Sequence, residues 1–150
     1  MGRDMRVFPL LAPGVAAALM TVGAACGSGG TPAPVVVALA GQTVPTAKLQ
    51  TIAAGVCDAA RQAPADVAAA RQTFFGTSHD GIHLIARGLE DKDRAAAATL
   101  LETKQKVEAD FNATPPPPGP QIAADLTRLA AVTRTSLARF KVSAEPCPAR

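Results

Sequence analysis

The sequence predicts an all-α protein, an antiparallel four-helix bundle that follows a signal peptide and a flexible tether. From Thr46 onward, apolar residues recur at three- and four-residue steps, which places them on one face of a helix. Prolines and glycines divide this region into four such segments with short connections, as in a bundle. The chain has 150 residues, a length that suits one domain.

The first two predicted helices span Thr46–Arg61 and Pro64–Arg87. Pro64 is a favoured residue in a first helical turn, and Asp66 suits the positive end of the helix dipole. Gly76-Thr77-Ser78 weakens the second helix and predicts a kink there.

The third and fourth predicted helices span Asp91–Ala113 and Pro120–Phe140. The proline run Pro115–Pro118, which no helix can cross, separates them. The tail Ser143–Arg150 contains two further prolines and is expected to be irregular. The apolar stripe of the third helix consists of Ala97, Leu100, Leu101, Val107 and Phe111.

One apolar run, Val35–Ala40, precedes the helices. It is expected to be a brief extended piece that lies on the domain, because too few strand-like segments exist to build a sheet. It belongs to the segment 26–45, which we interpret as a tether. The remainder, 46–150, is the predicted helical domain.

The N-terminus has the parts of a secretory signal peptide. Arg3 and Arg6 form a short basic start, an apolar run extends over Val7–Ala25, and small residues lead to Cys26. Residues 1–25 are therefore the predicted signal peptide. Two other interpretations stay open: ordinary cleavage that releases a soluble secreted protein, and an uncleaved membrane anchor, which the prolines and glycines of the run disfavour.

The sequence Gly23-Ala24-Ala25-Cys26 resembles the lipobox of bacterial lipoproteins, and the Ala-, Arg- and Pro-rich composition is similar to that of actinobacterial ones. The chain departs from the lipobox pattern at Gly23, where Leu or Val is usual. The resemblance implies that Cys26 is acylated and becomes the new N-terminus. It also implies a membrane partner and a location on the outer face of the cytoplasmic membrane or in the cell envelope.

The cysteine count agrees with export. Three cysteines are an odd number, which is awkward in an oxidising compartment. If Cys26 carries lipid, Cys57 and Cys147 remain as a pair, and a disulfide between them is predicted. Neither has a second cysteine within a few residues, so the spacing disfavours a metal or redox motif.

His79 and His83 are the two histidines of the chain, and their i,i+4 spacing places both on one side of a helix. Two imidazoles so placed suit Cu²⁺ or Zn²⁺. Zinc needs three or four ligands, and the sequence identifies no third. A pair of half-exposed histidines at the edge of the apolar face is the competing interpretation.

Composition restricts the classes of function. The net charge is +3 and aromatic residues make up 3%, with no Trp or Tyr, so the chain lacks a nucleic-acid-binding signature. No nucleophile–base arrangement indicates an enzyme. The sequence therefore predicts a non-enzymatic, exported envelope lipoprotein that binds an envelope protein or a small ligand, with transition-metal binding as the alternative.

Overall fold

A computed structural model describes residues 33–148, and helices predominate in that part of the chain. The all-α prediction is therefore confirmed at the level of class, and the four predicted segments are present with ends displaced by at most three residues. The predicted signal peptide, Cys26 and the first residues of the tether lie outside the described range. The helices are α1 (Thr46–Gln62), α2 (Val67–Thr73), α3 (His79–Leu89), α4 (Arg94–Asn112) and α5 (Gly119–Ala138).

Residues 67–89 form one continuous helical run with an irregular centre. A π-helical turn at Phe74–Ser78, called the π turn below, joins α2 directly to α3. It covers the Gly76-Thr77-Ser78 stretch where the sequence predicted a kink. The π turn packs on α1, where the Ser78 hydroxyl donates a hydrogen bond to the Ile52 carbonyl at 2.8 Å.

Glycine is required where the π turn meets α1. A Cβ at Gly55 would lie 2.5 Å from Ser78 Oγ and 2.6 Å from Thr77 Cγ2, which is closer than atoms can pack. The absence of a side chain lets the two backbones approach. This contact fixes the end of the π turn, and with it the start of α3.

The expectation that Val35–Ala40 builds no sheet is wrong. Strands β1 (Val36–Leu39) and β2 (Gln42–Pro45) pair as an antiparallel hairpin. Ala40 and Gly41 form its turn with φ of 47° and 75°, and two-residue hairpin turns favour such positive values. Leu39 and Val44 are buried in the core, so the hairpin is part of the folded domain.

Acidic side chains begin two of the helices. Asp66 Oδ1 accepts a hydrogen bond from the Ala69 amide at 2.9 Å, and Asp93 Oδ1 accepts one from the Ala96 amide at 3.0 Å. Each caps backbone N–H groups that lack a partner within the helix. Asp66 and Asp93 therefore act as N-terminal caps of α2 and α4.

The core lies where α5 meets α1 and α4 and where α4 meets α3. Apolar side chains from all these helices converge there, together with Phe74 of the π turn. The largest of the fully buried apolar side chains are Leu39, Leu49, Phe74, Ile82, Ile85, Leu89, Leu100, Ile122, Leu126, Leu129 and Leu137.

The C-terminal tail returns to α1 after α5. Cys57 of α1 and Cys147 form a disulfide with their Cα atoms 5.2 Å apart, the pair that the cysteine count predicted. Gln50 Nε2 also donates a hydrogen bond to the Ser143 carbonyl at 3.0 Å. Both contacts tie the tail to the same helix.

Within residues 33–148, no helix combines the length and the apolar character needed to cross a membrane.

Candidate metal centre

Three potential metal ligands converge where α3 faces α4. His79 is the first residue of α3, His83 lies one turn further along, and Glu108 lies on α4. One ligand atom from each of the three lies within 4.8 Å of the others. The two imidazole rings have centroids 5.1 Å apart and meet edge to face.

Hydrogen bonds orient His79 within this cluster. Its Nε2 lies 2.7 Å from Glu108 Oε1, and its Nδ1 lies 2.8 Å from Asp80 Oδ1. A histidine that binds a metal through one ring nitrogen commonly donates the other N–H to a carboxylate. Asp80 occupies that supporting position, which leaves Nε2 as the nitrogen that faces Glu108.

A buried lysine completes the cluster. Lys104 Nζ donates a hydrogen bond to Glu108 Oε1 at 2.6 Å, one turn before Glu108 on the same helix. The Lys104 side chain is only 1% exposed, whereas that of Glu108 is 24% exposed. A buried ammonium needs a charged partner, and Glu108 supplies it. Lys104 and His79 thus both hydrogen-bond to the same oxygen of Glu108, Oε1.

Electrostatic interactions favour the protonation states of Glu108 and His83 that bind metals. Burial raises the pKa of Glu108, but hydrogen bonds from Lys104 and His79 outweigh it, so the pKa is lowered overall. Burial, with the nearby charge of Lys104, lowers the pKa of His83. At neutral pH, Glu108 is therefore a carboxylate and His83 a neutral imidazole, as metal binding requires.

Aromatic rings enclose the His79 side of the cluster. The centroids of Phe75 and Phe74 lie 5.1 Å and 6.1 Å from that of His79. Both phenylalanines belong to the π turn, which also sets the position of His79 at the start of α3. The π turn thus forms one wall of the candidate site and sets the position of its first potential ligand, consistent with the frequent occurrence of π turns at functional sites.

This donor set has two imidazole nitrogens and one carboxylate oxygen. Zinc sites with three protein ligands keep a fourth position for water or another molecule, and Cu²⁺ also takes imidazole ligands. A metal here would replace the hydrogen bond between His79 and Glu108. The Lys104 ammonium would remain nearby and oppose the added positive charge by Coulomb repulsion.

The structure brings His79 and His83 together, as their spacing predicted, and adds a third potential ligand that the sequence did not identify. Glu108 lies on another helix, so no local spacing relates it to the histidines. One sequence signal was available, because Lys104 lies on the stripe of α4 between Leu100 and Val107. A lysine in an apolar stripe predicts a buried counter-charge, and the carboxylate one turn on is Glu108.

No protein family, curated protein or solved structure matches the chain. The geometry of the cluster therefore carries the functional conclusion.

Proposed function

We propose that the chain is an exported, lipid-anchored envelope protein whose helical domain binds one divalent transition metal, Cu²⁺ or Zn²⁺. His79, His83 and Glu108 are the ligands. The observation that carries this proposal is the third ligand: Glu108 reaches the histidine pair from α4 and brings all three donor atoms within 4.8 Å. A pair of histidines with no third partner would not support it.

An ion-pair network alone explains less of the cluster. The bond between Lys104 and Glu108 already neutralises the buried ammonium, and it needs neither histidine. His83 has no hydrogen bond to another described residue, yet its ring stands edge to face against His79 beside Glu108. Metal coordination gives His83 a role. It also explains why Asp80 binds Nδ1 of His79, the ring nitrogen that does not face Glu108.

Export is supported by the disulfide and by the signal-like N-terminus. Disulfides persist in oxidising compartments, and Cys57 and Cys147 are paired. Pairing leaves Cys26 as the remaining cysteine. In this proposal Cys26 carries lipid and residues 1–25 are removed, which places the domain outside the cytoplasmic membrane.

The proposal for the anchor is tested by Cys26→Ser. Cells that produce the wild-type chain and the variant are fractionated, and the mass of the processed N-terminus is measured. The wild-type protein is expected in the membrane fraction, with lipid added at Cys26, and the variant in the soluble fraction. Wild-type protein cleaved elsewhere and released into the medium would show ordinary secretion instead.

We also propose an antiparallel bundle for the four helical runs. The contacts of α5 with α1 and α4, and of α4 with α3, support it, as do the short connections between successive runs. In this arrangement α3 and α4 are adjacent partners. The metal ligands therefore lie on two neighbouring helices of a rigid scaffold.

Calorimetry tests the metal site directly. The exported protein, purified in detergent, is titrated with Zn²⁺ and Cu²⁺, and one metal per chain is expected. The double variant His79→Ala, His83→Ala is expected to lose binding, while Glu102→Ala, which removes an exposed carboxylate of α4 outside the cluster, retains it. Unchanged affinity in the double variant would refute the site and leave an accessory domain that binds a protein partner.

A further inference from the structure

A cavity of about 650 Å³ borders the candidate metal centre. It lies among β2, α1, the π turn and α3, and its apolar lining includes Ile52 and Leu84. The volume is in the range of sites that hold small molecules. Gly81 lets α3 approach α1 here, since a Cβ at this position would lie 2.3 Å from Ile52 Cδ1.

Two of the cations that line this cavity form no ion pair with another described residue. Lys48 of α1 and Arg87 of α3 have no ion pair with another residue in the range 33–148. The carboxylate in the lining, Asp80, already accepts a hydrogen bond from His79. The lining therefore has an excess of positive charge.

The cavity and the metal cluster share a residue. His83 belongs to both, and Asp80, which supports His79, also lines the cavity. Three protein ligands leave at least one coordination position of Zn²⁺ to another molecule. An anion in the cavity can thus contact the edge of the cluster at His83 while it pairs with Lys48 and Arg87.

We propose that the cavity binds a small dicarboxylate, which completes the coordination of the metal at His79, His83 and Glu108 and pairs with Lys48 and Arg87. This inference rests on the proposed metal site. It makes the domain a receptor for a metal–carboxylate complex rather than for the bare ion.

The chemistry of the lining favours this class of ligand over others. Carboxylate oxygens coordinate divalent metals, and arginine binds a carboxylate through two parallel hydrogen bonds. One carboxylate satisfies the metal and a second satisfies the cations of the cavity. A monocarboxylate can meet only one of these partners, so it is expected to bind more weakly. The apolar floor of Ile52 and Leu84 suits the short carbon chain between the two groups.

Electron paramagnetic resonance on the Cu²⁺-loaded, detergent-purified protein tests the inference, with malonate as the probe and acetate as the single-carboxylate comparison. Malonate is expected to shift the copper spectrum at a concentration about tenfold lower than acetate. Hyperfine coupling to the imidazole nitrogens must persist in the shifted spectrum, because its loss would mean that malonate had removed the copper from the protein.

The double variant Lys48→Gln, Arg87→Gln provides the decisive comparison. It is expected to bind Cu²⁺ with one metal per chain and to need about tenfold more malonate for the same shift. Both side chains are exposed and unpaired, so their loss leaves the fold intact. Arg128→Gln, Arg134→Gln removes the same charge from α5 and is expected to behave as the wild type.

Each outcome identifies which proposal fails. If the wild-type chain binds no Cu²⁺, the metal site is wrong and this inference falls with it. If copper binds but malonate acts no better than acetate, or acts equally on the Lys48→Gln, Arg87→Gln variant, the dicarboxylate inference alone is overturned. Loss of imidazole coupling on addition of malonate has the same meaning.

Discussion

Helix α4 carries two lysine–carboxylate pairs of the same spacing and of opposite burial. In the first, the Lys104 side chain is 1% exposed and that of Glu108 is 24% exposed. In the second, the Lys106 side chain is 51% exposed and that of Asp110 is 6% exposed. Sequence alone would count both as equivalent i,i+4 pairs.

The difference shows how one motif serves two purposes. Burying the cation of the first pair leaves its carboxylate at the boundary, where Glu108 also meets His79. Burying the carboxylate of the second pair leaves its cation free to reach Asp125 of α5 at 3.2 Å. The first pair therefore contributes a carboxylate to the candidate site between α3 and α4, and the second connects α4 to α5.

The largest effect is expected when the buried cation loses its partner. Glu108→Gln leaves the Lys104 ammonium without a charge partner, which should lower the free energy of unfolding by about 3–5 kcal/mol. Urea denaturation followed by circular dichroism measures the change. The double variant Lys104→Met, Glu108→Gln should recover most of the loss, since it leaves no unpaired buried charge. A single variant as stable as the wild type would contradict this account of the pair.

Metal affinity separates the two lysines. Lys104→Met removes a positive charge next to a metal ligand and should raise the affinity for Zn²⁺ about tenfold, or about 1.4 kcal/mol. Lys106→Met is the matched control on the same helix and should leave the affinity unchanged. Competition with a chromogenic chelator measures both. Equal effects of the two substitutions would show that Lys104 does not act on the site.

A smaller effect is expected when the exposed lysine of the second pair loses its partner. Asp110→Asn, which takes the carboxylate away from the half-exposed Lys106 ammonium, should lower the free energy of unfolding by about 1 kcal/mol, because water and Asp125 still solvate that ammonium. The same denaturation experiment applies. A loss as large as that for Glu108→Gln would mean that burial of the cation is not what distinguishes the pairs.

The smallest effects on stability are expected from changes of pH. Acid should affect the Lys104–Glu108 pair, and alkali the Lys106–Asp110 pair. The folded state lowers the pKa of Glu108, so its contribution to stability is present above its ordinary pKa and is lost as pH falls through the lowered value. The hydrogen bond to Asp110 raises the pKa of Lys106, so that contribution is present below its ordinary pKa and is lost in strong alkali.

Acid should also weaken metal binding, because protonated imidazole cannot coordinate. The lowered pKa of His83 keeps that ring neutral to a lower pH than an ordinary histidine. The free energy of unfolding at several pH values, measured for the wild type, Lys104→Met and Lys106→Met, tests whether the acid effect comes from Glu108 and the alkaline effect from Lys106. The acid response should change in the first variant and the alkaline response in the second, and the reverse pattern would contradict this assignment.

The sequence predicted the elements whose signals are local. Spacing of apolar residues located the four helical runs, and Asp66 marked a helix start where it caps a backbone amide. The hairpin was missed because its turn uses Ala40, a residue that rarely adopts positive φ, in place of the usual asparagine or aspartate before Gly41.

Only the part of the candidate site that has a local sequence signal could be predicted. His79 and His83 share one helix, so their spacing identified them, whereas Glu108 joins them only through the packing of α4 on α3. The disulfide is also long-range, yet the odd cysteine count identified Cys57 and Cys147 without geometry. Long-range features were predictable where few partners existed, and not where many carboxylates could have served.

A crystal structure of the Zn²⁺-loaded protein, with anomalous data at the zinc edge, tests whether His79, His83 and Glu108 bind the metal together. We expect one anomalous peak between α3 and α4, with bonds of about 2.0–2.2 Å to a nitrogen of His79, a nitrogen of His83 and an oxygen of Glu108. The hydrogen bond between His79 and Glu108 should then be replaced by the metal. A peak elsewhere, with that hydrogen bond still in place, would show that these three residues are not the metal ligands.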